Sequence, residues 1–114
     1  MEIHSADWRA EVRRQNDRFR KHGEGQGTFL VTSGISAKGP AFVLAAVRAV
    51  RAFDAFTKDN DPYGEHDFGA FNLEGERLFF KIDPYDLSLQ AYSPNAADPA
   101  KTTRVLTLML ASEY

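Results

Sequence analysis

The residues best suited to chemistry lie in the middle of the chain, where one histidine has several carboxylates near it in sequence. His66 lies between Glu65 and Asp67, and the preceding residues include Asp59 and Asp61. An imidazole held by a carboxylate can act as a general acid or base near neutral pH. An imidazole among carboxylates can also bind a divalent metal ion.

The elements that would position this group are two predicted strands, residues 67–73 and 76–83. Glu74-Gly75 between them is typical of a two-residue hairpin loop, which fixes the register of the pair. One face of this hairpin is apolar and predicts the core side: Phe71, Leu73, Leu78, Phe80 and Ile82. The other face would bring His66 opposite Asp83, with Lys81 nearby. Three interpretations stay open for this group: acid–base catalysis, a metal site, or a structural pair that holds the loop.

Two other motifs resemble ligand-binding loops but lack features that those loops require. Asp59-Asn60-Asp61 resembles the start of a calcium-binding loop, but Tyr63 and Ala70 stand where that loop needs ligands. The glycine-rich residues 23–27 follow a helix and precede a strand, whereas a phosphate loop needs the reverse order. We therefore expect no calcium site and no phosphate loop at these positions.

The remaining pattern predicts helices packed on an antiparallel sheet. A first helix runs from a Ser5 cap to residue 21, because Trp8, Val12, Gln15 and Phe19 share one helical face. Strands are expected at residues 28–32 and 87–92, and a second helix at residues 40–57. Asp98 and Pro99 are typical of the start of a last helix. The prediction is one α+β domain over residues 1–114, with about four strands in the order α-β-α-β-β-β-α.

Composition and charge narrow the functional classes. The 114 residues are 43% hydrophobic and 26% charged, as in an ordinary globular protein, and they include no cysteine. Thiolate nucleophiles and cysteine-based metal sites are excluded. No signal-peptide pattern or membrane-spanning run occurs, so a cytoplasmic location is expected. The net charge is +4 over residues 1–53, −6 over residues 54–86 and zero thereafter. The acidic middle disfavours direct binding of nucleic acid there.

Three stretches resemble a known bacterial family. They are AVRAFDAFTKDNDPYGEHDFGAF, LFFKIDPYD and SPNAADPAKTTRVLTLMLASEY. They are similar to the uncharacterised family numbered 3768 among the domains of unknown function, over residues 13–114 and least over residues 23–39. The resemblance implies a small cytosolic protein, often encoded among plasmid and mobile-element genes. It implies no activity and no catalytic residue.

The leading hypothesis is a non-catalytic protein-binding module with an acidic surface that faces a basic partner. Such a protein could be a mobile-element inhibitor of a nucleic-acid-binding defence complex, of the anti-CRISPR or antirestriction type. The surface would use Asp59, Asp61, Glu65, His66, Asp67, Asp83 and Asp86. The alternative is a small metal-dependent or acid–base enzyme centred on His66. A third class is nucleic-acid binding through Arg13, Arg14 and Arg18. No cofactor and no membrane partner are expected.

Overall fold

A four-stranded sheet carries helices on one of its faces in the computed structural model, which describes residues 6–114. The strands lie in the order β1-β4-β3-β2, and only the β1–β4 pair is parallel. The predicted α+β class and the predicted number of strands are confirmed. The sheet is mostly antiparallel, as predicted, apart from this one pair, and the predicted order of elements is partly wrong. The elements are α1 (Ala6–His22), β1 (Gly27–Val31), α2 (Ser33–Ser36), α3 (Pro40–Ala52), β2 (Phe68–Leu73), β3 (Glu76–Tyr85) and β4 (Thr103–Leu110).

Helix α1 follows the predicted apolar face. Val12, Gln15 and Phe19 are buried, and Phe19 belongs to the main core cluster. The helix stops at His22 because Gly23 adopts a left-handed backbone (φ 69°) and donates its N–H to the carbonyl of Phe19. The predicted Ser5 cap lies outside the described residues.

Helix α3 ends five residues earlier than its apolar pattern suggested. Phe53 leaves the helix with an extended backbone (φ −64°, ψ 132°), and the Arg20 side chain donates to the carbonyls of Val50 and Phe53 at 2.8 Å each. Phe53 and Phe56 still pack against the core from beyond the helix end. The apolar pattern therefore identified core residues correctly and overestimated the length of the helix.

The β2–β3 hairpin has the predicted register. Leu73 lies opposite Glu76, Phe71 opposite Leu78 and Gly69 opposite Phe80. Glu74 and Gly75 both have positive φ, as a tight two-residue hairpin turn requires. The predicted apolar face of this hairpin packs in the core.

The predicted last helix is wrong, because residues 103–110 form β4 instead. Asp98 does cap a turn by accepting the N–H of Ala100, but that turn is a short 3₁₀ helix, Pro99–Lys101. Strand β4 lies between β1 and β3 and is buried along most of its length. The sequence of a central strand that is buried on both faces is a continuous apolar run. Periodicity alone cannot distinguish such a run from a buried helix.

The predicted strand at residues 87–92 is also wrong, because this segment is a loop. The Asp86 carboxylate accepts the backbone N–H groups of Ser88 and Gln90. Leu89 has a left-handed backbone (φ 62°), and one isolated bridge joins Tyr92 to Tyr85. The side chain of Asp86 therefore takes the hydrogen bonds that a neighbouring strand would have needed.

The core lies between the helices and one face of the sheet. It is built from Phe19, Ile35, Phe42, Ala46, Val50, Leu78, Phe80, Ile82, Leu106 and Leu108. Because side chains alternate along a strand, Phe79, Lys81, Asp83 and Tyr85 of β3 point to the other face, which no α-helix of the described residues covers. No helix within residues 6–114 is long and apolar enough to cross a membrane.

Candidate functional site

The segment that contains His66 is bound to one face of α1. We call residues 54–67 the acidic loop. The Arg9 guanidinium lies 4.7 Å from the ring centre of Tyr63, and Arg13 donates to the carbonyl of Gly64 at 2.9 Å. One turn further along, Asn16 donates to the carbonyl of Glu65 at 2.9 Å. These helix residues recur at spacings of four and three, so a single helical face holds the loop.

His66 is held by contacts on four sides. Its Nδ1 lies 2.9 Å from Oδ1 of Asp17, and its Nε2 lies 3.6 Å from Oδ2 of Asp61. Its ring stacks on Phe56 with ring centres 3.8 Å apart and planes inclined by 5°. Its backbone N–H donates to Oδ1 of Asp61 at 3.2 Å. The imidazole therefore connects the acidic loop to α1 and fixes their relative position.

The predicted pairing of His66 with Asp83 is wrong. The left-handed backbone of His66 (φ 55°) turns its side chain to Asp17 and Phe56, before β2 begins at Phe68. Asp83 instead binds Lys81, with Oδ2 and Nζ 2.9 Å apart on the uncovered sheet face. The two side chains therefore serve different partners, and the strand register could not reveal this because His66 lies outside the ladder.

The seven residues predicted as an acidic surface differ in how much charge they present to solvent. Asp59 is exposed, and the other six are half-buried. The Asp61 side chain is only 6% exposed. Burial raises the pKa of Asp67 above its ordinary value, and the nearby Asp61 and Asp83 charges raise it further. Much of the predicted charge is therefore turned inward or paired.

His66 lines an open cavity of about 260 Å³ on the α1 side. Asp17, Arg20, Lys21, Asp54 and Phe56 line it as well. Asp17 also accepts from the Arg20 guanidinium at 3.1 Å, so its carboxylate serves both the histidine and the arginine. Among residues 6–114, no group of three or more histidine or carboxylate side chains is arranged to hold a metal ion.

A second surface feature, which the sequence pattern predicted as a strand, is the loop of residues 85–92. We call it the tyrosine loop because Tyr85 and Tyr92 stack at its base, with ring centres 5.5 Å apart. Leu87 and Leu89 at its tip are 54% and 53% exposed, and Tyr92 is 67% exposed. Three large apolar side chains are therefore exposed on this one surface loop.

Asp86 organises the tyrosine loop. Its Oδ1 accepts from the Ser88 hydroxyl at 2.8 Å and from the N–H groups of Ser88 and Gln90 at 3.1 and 3.2 Å. These bonds, led by the Ser88 hydroxyl, lower the pKa of Asp86. The backbone closes the same loop, because the N–H of Asp86 donates to the carbonyl of Ala91 at 2.8 Å. The leucines are thus presented on a loop with fixed geometry.

Sequence reasoning missed the partners of both features. Asp17 and Phe56 hold His66 from distant parts of the chain, and only the helical spacing of Arg9, Arg13, Asn16 and Asp17 indicates a binding face. For the tyrosine loop, the available signal was the sequence Asp86-Leu87-Ser88. An aspartate two residues before a serine is typical of a side-chain-capped turn.

Comparison with known proteins gives one match. A family model described as "Protein of unknown function (DUF3768)" matches residues 31–113, which include β2, β3, β4 and both surface features. No curated protein matches, and no solved structure matches.

Proposed function

The chain belongs to the DUF3768 family of proteins of unknown function, and we propose that it is a non-catalytic module that binds another protein through its tyrosine loop. The observation that carries the proposal is the exposure of Leu87 and Leu89 on a loop fixed by Asp86. Apolar residues held in a fixed geometry lose little entropy on binding, which favours their use as contacts.

The backbone of Leu89 supports this proposal independently. A bulky residue with positive φ is rare and costs on the order of 1 kcal/mol or more. In this loop the strained backbone places the Leu89 side chain in solvent, so that this side chain contributes nothing to the core. Strain of this kind occurs mostly where surrounding bonds hold a side chain for a function.

The acidic loop indicates the chemistry of the partner. Asp54 and Asp59 are its exposed carboxylates, and residues 54–86 carry a net charge of −6. Charge of one sign on a surface speeds association with an oppositely charged protein and suppresses wrong partners. The proposed partner is therefore a protein with an apolar cleft and a basic surface, such as a complex that also binds nucleic acid.

Cytoplasmic inhibition of a host defence complex, of the anti-CRISPR or antirestriction type, is the biological role we propose for this binding. Its support is the similarity to a family whose genes often lie on mobile elements, together with the acidic surface charge. A binding module of this kind needs a stable contact surface and no catalytic group.

Acid–base catalysis by His66 is the second candidate, and the cavity of about 260 Å³ beside it is the observation in its favour. The contacts of the ring favour a structural role instead. One nitrogen is hydrogen-bonded to Asp17, the other lies near Asp61, and one face is covered by Phe56. A substrate would have to displace one of these contacts to reach the imidazole.

The proposal is tested by affinity capture from the native host, followed by measurement of Kd with the purified partner. We expect Leu87→Ser with Leu89→Ser to weaken binding at least about tenfold, because central apolar contacts often contribute more than about 1 kcal/mol each. Leu44→Ser is the matched control, since Leu44 is 52% exposed on α3. A captured nuclease complex is then assayed for inhibition.

Charge reversal by Asp54→Lys with Asp59→Lys should slow association and reduce the salt dependence of the rate. Both positions are exposed, so the fold should tolerate the change. If the leucine variant and the Leu44 control capture the same proteins with equal affinity, the tyrosine loop is not the contact surface and the proposal fails.

A further inference from the structure

A buried arginine without an ion-pair partner lies where the start of β4 packs against α1. Arg104, the second residue of β4, is 5% exposed. It donates to Oδ1 of Asn16 at 2.6 Å, to Oε1 of Gln15 at 3.1 Å and to the carbonyl of Ala96 at 2.7 Å. All three acceptors are neutral. Within residues 6–114, no carboxylate forms an ion pair with this guanidinium.

A buried charge without a counter-ion is costly, because water no longer solvates it. Burial lowers the pKa of Arg104 to about 10, and the only charge that opposes this effect is Glu11. Glu11 acts at a distance, since it binds Arg14 and the side-chain amide of Gln15. The protein therefore keeps a cation in a position that its own carboxylates do not neutralise.

Arg104 lines a cavity of about 90 Å³. Arg14 and Arg18, one helical turn apart on α1, line the same cavity, together with Thr102, Gln26 and the single carboxylate Glu24. Arg14 and Arg18 are half-exposed and bind Glu11 and Glu24, and Glu24 lines the cavity as well. Three arginines thus line a cavity whose lining contains one carboxylate.

The donors that remain on Arg104 suit an oxyanion. A guanidinium has five N–H groups, and the three bonds to Asn16, Gln15 and Ala96 leave one N–H on each terminal nitrogen. Two parallel N–H groups on an arginine match the oxygens of a phosphate in a bidentate arrangement. A cavity of about 150 Å³ holds benzene, with six heavy atoms. The cavity here is smaller and partly open to solvent, so it would enclose only the phosphoryl group of a monoester.

We propose that Arg104, Arg14 and Arg18 form a binding site for a phosphoryl group, either free phosphate or a small phosphate monoester. The phosphoryl oxygens would take the two remaining N–H groups of Arg104 inside the cavity. Arg14 and Arg18 would turn from their carboxylates to close over the ligand. The glycine-rich residues 23–27 border this site, so arginine side chains, and not the amides of a helix N-terminus, would hold the anion.

Calorimetric titration at constant ionic strength tests the site with three probes: sodium phosphate, glycerol phosphate and sodium acetate. We expect saturable binding of at least one phosphate probe and at least about tenfold weaker binding of acetate, which offers fewer acceptor oxygens. Tighter binding of glycerol phosphate than of phosphate indicates a monoester ligand, whereas tighter binding of phosphate indicates the free ion. Equal binding of acetate, or no saturable binding of either phosphate probe, would overturn the proposal.

Two double variants separate a built site from general attraction by positive charge. Arg14→Gln with Arg18→Gln removes two exposed guanidinium groups and leaves the buried Arg104 network intact. Arg48→Gln with Arg77→Gln removes the same charge from exposed positions outside the cavity. We expect the first variant to weaken phosphate binding at least about tenfold, by loss of charge-assisted hydrogen bonds, and the second to change it little. Equal weakening by the two variants would show that only net charge matters.

Discussion

The two buried arginines illustrate how different surroundings give one residue type different roles. Arg20 donates to two carbonyls at the end of α3 and to the Asp17 carboxylate, so its charge has a partner inside the protein. Arg104 has neutral acceptors only and faces a cavity. Arg20 therefore stabilises the fold, whereas the proposed phosphoryl site depends on Arg104.

Asp67 gives a pH-dependent prediction at the residue scale. Its pKa in the folded protein is raised above the ordinary value of 3.8, mainly by burial. The stability that its protonated form provides is present below about pH 3.8 and is lost as the pH rises through the raised folded pKa. At pH 7 the ionised carboxylate therefore destabilises the fold.

We expect Asp67→Asn to raise the free energy of unfolding at pH 7 by up to about 1 kcal/mol, and to have little effect near pH 3. Urea unfolding at both pH values measures the difference. Asp59→Asn is the control, because it removes the same charge from an exposed position. If Asp67→Asn lowered stability equally at both pH values, the burial argument would be contradicted.

At the scale of elements, the β2–β3 hairpin needs a glycine where two phenylalanines pack. A Cβ atom at residue 69 would lie 2.7 Å from Cζ of Phe80 and 2.9 Å from Cε1 of Phe53. Both rings belong to a cluster of edge-to-face aromatic contacts and cannot move freely. This close packing explains why an otherwise β-forming strand contains Gly69.

We expect Gly69→Ala to destabilise the protein by about 1–3 kcal/mol through overpacking. Phe80→Leu should cost less in the Gly69→Ala variant than in the wild type, because the smaller side chain makes room for the new methyl group. Guanidinium unfolding of the four proteins in this cycle gives the coupling energy. Additive effects of the two substitutions would argue against direct contact between residue 69 and the Phe80 ring.

The same comparison of elements shows what local sequence can and cannot predict. The hairpin was predictable because Glu74-Gly75 fixes the turn and the alternation fixes the buried face. Strand β4 was not, because its apolar residues also fit one side of a helix. Its strand conformation follows from the positions of β1 and β3, which sequence periodicity does not contain. The partner of His66 was missed for a similar reason, since Asp17 is close to it only in space.

For the whole molecule, the basic first half and the acidic middle of the chain are in contact. The basic face of α1 holds the acidic loop through Arg9 and Arg13, mostly by contacts to a ring and a carbonyl. These two arginines therefore bind neutral groups of the acidic loop. The exposed carboxylates of that loop, Asp54 and Asp59, are what a partner would meet.

Hydrogen exchange should reveal β4 as the most stable part of the molecule. It has hydrogen-bonded neighbours on both sides, whereas β1 and β2 lie at the edges. We expect amides of Val105 to Leu108 to exchange only by global unfolding, and those of the tyrosine loop to exchange at least about a hundredfold faster. Amide exchange followed by NMR measures this. Equal rates in the two segments would contradict the topology.

The parallel pairing of β1 with β4 has a consequence for synthesis. On the ribosome β1 emerges more than 70 residues before β4, the strand that completes its hydrogen bonds. Until then Phe29 and Val31 lack the neighbour that belongs beside them, and the nascent chain exposes an unpaired edge. We therefore expect β1 to be completed only after β4 has left the ribosome, in a late step that joins two segments far apart in sequence.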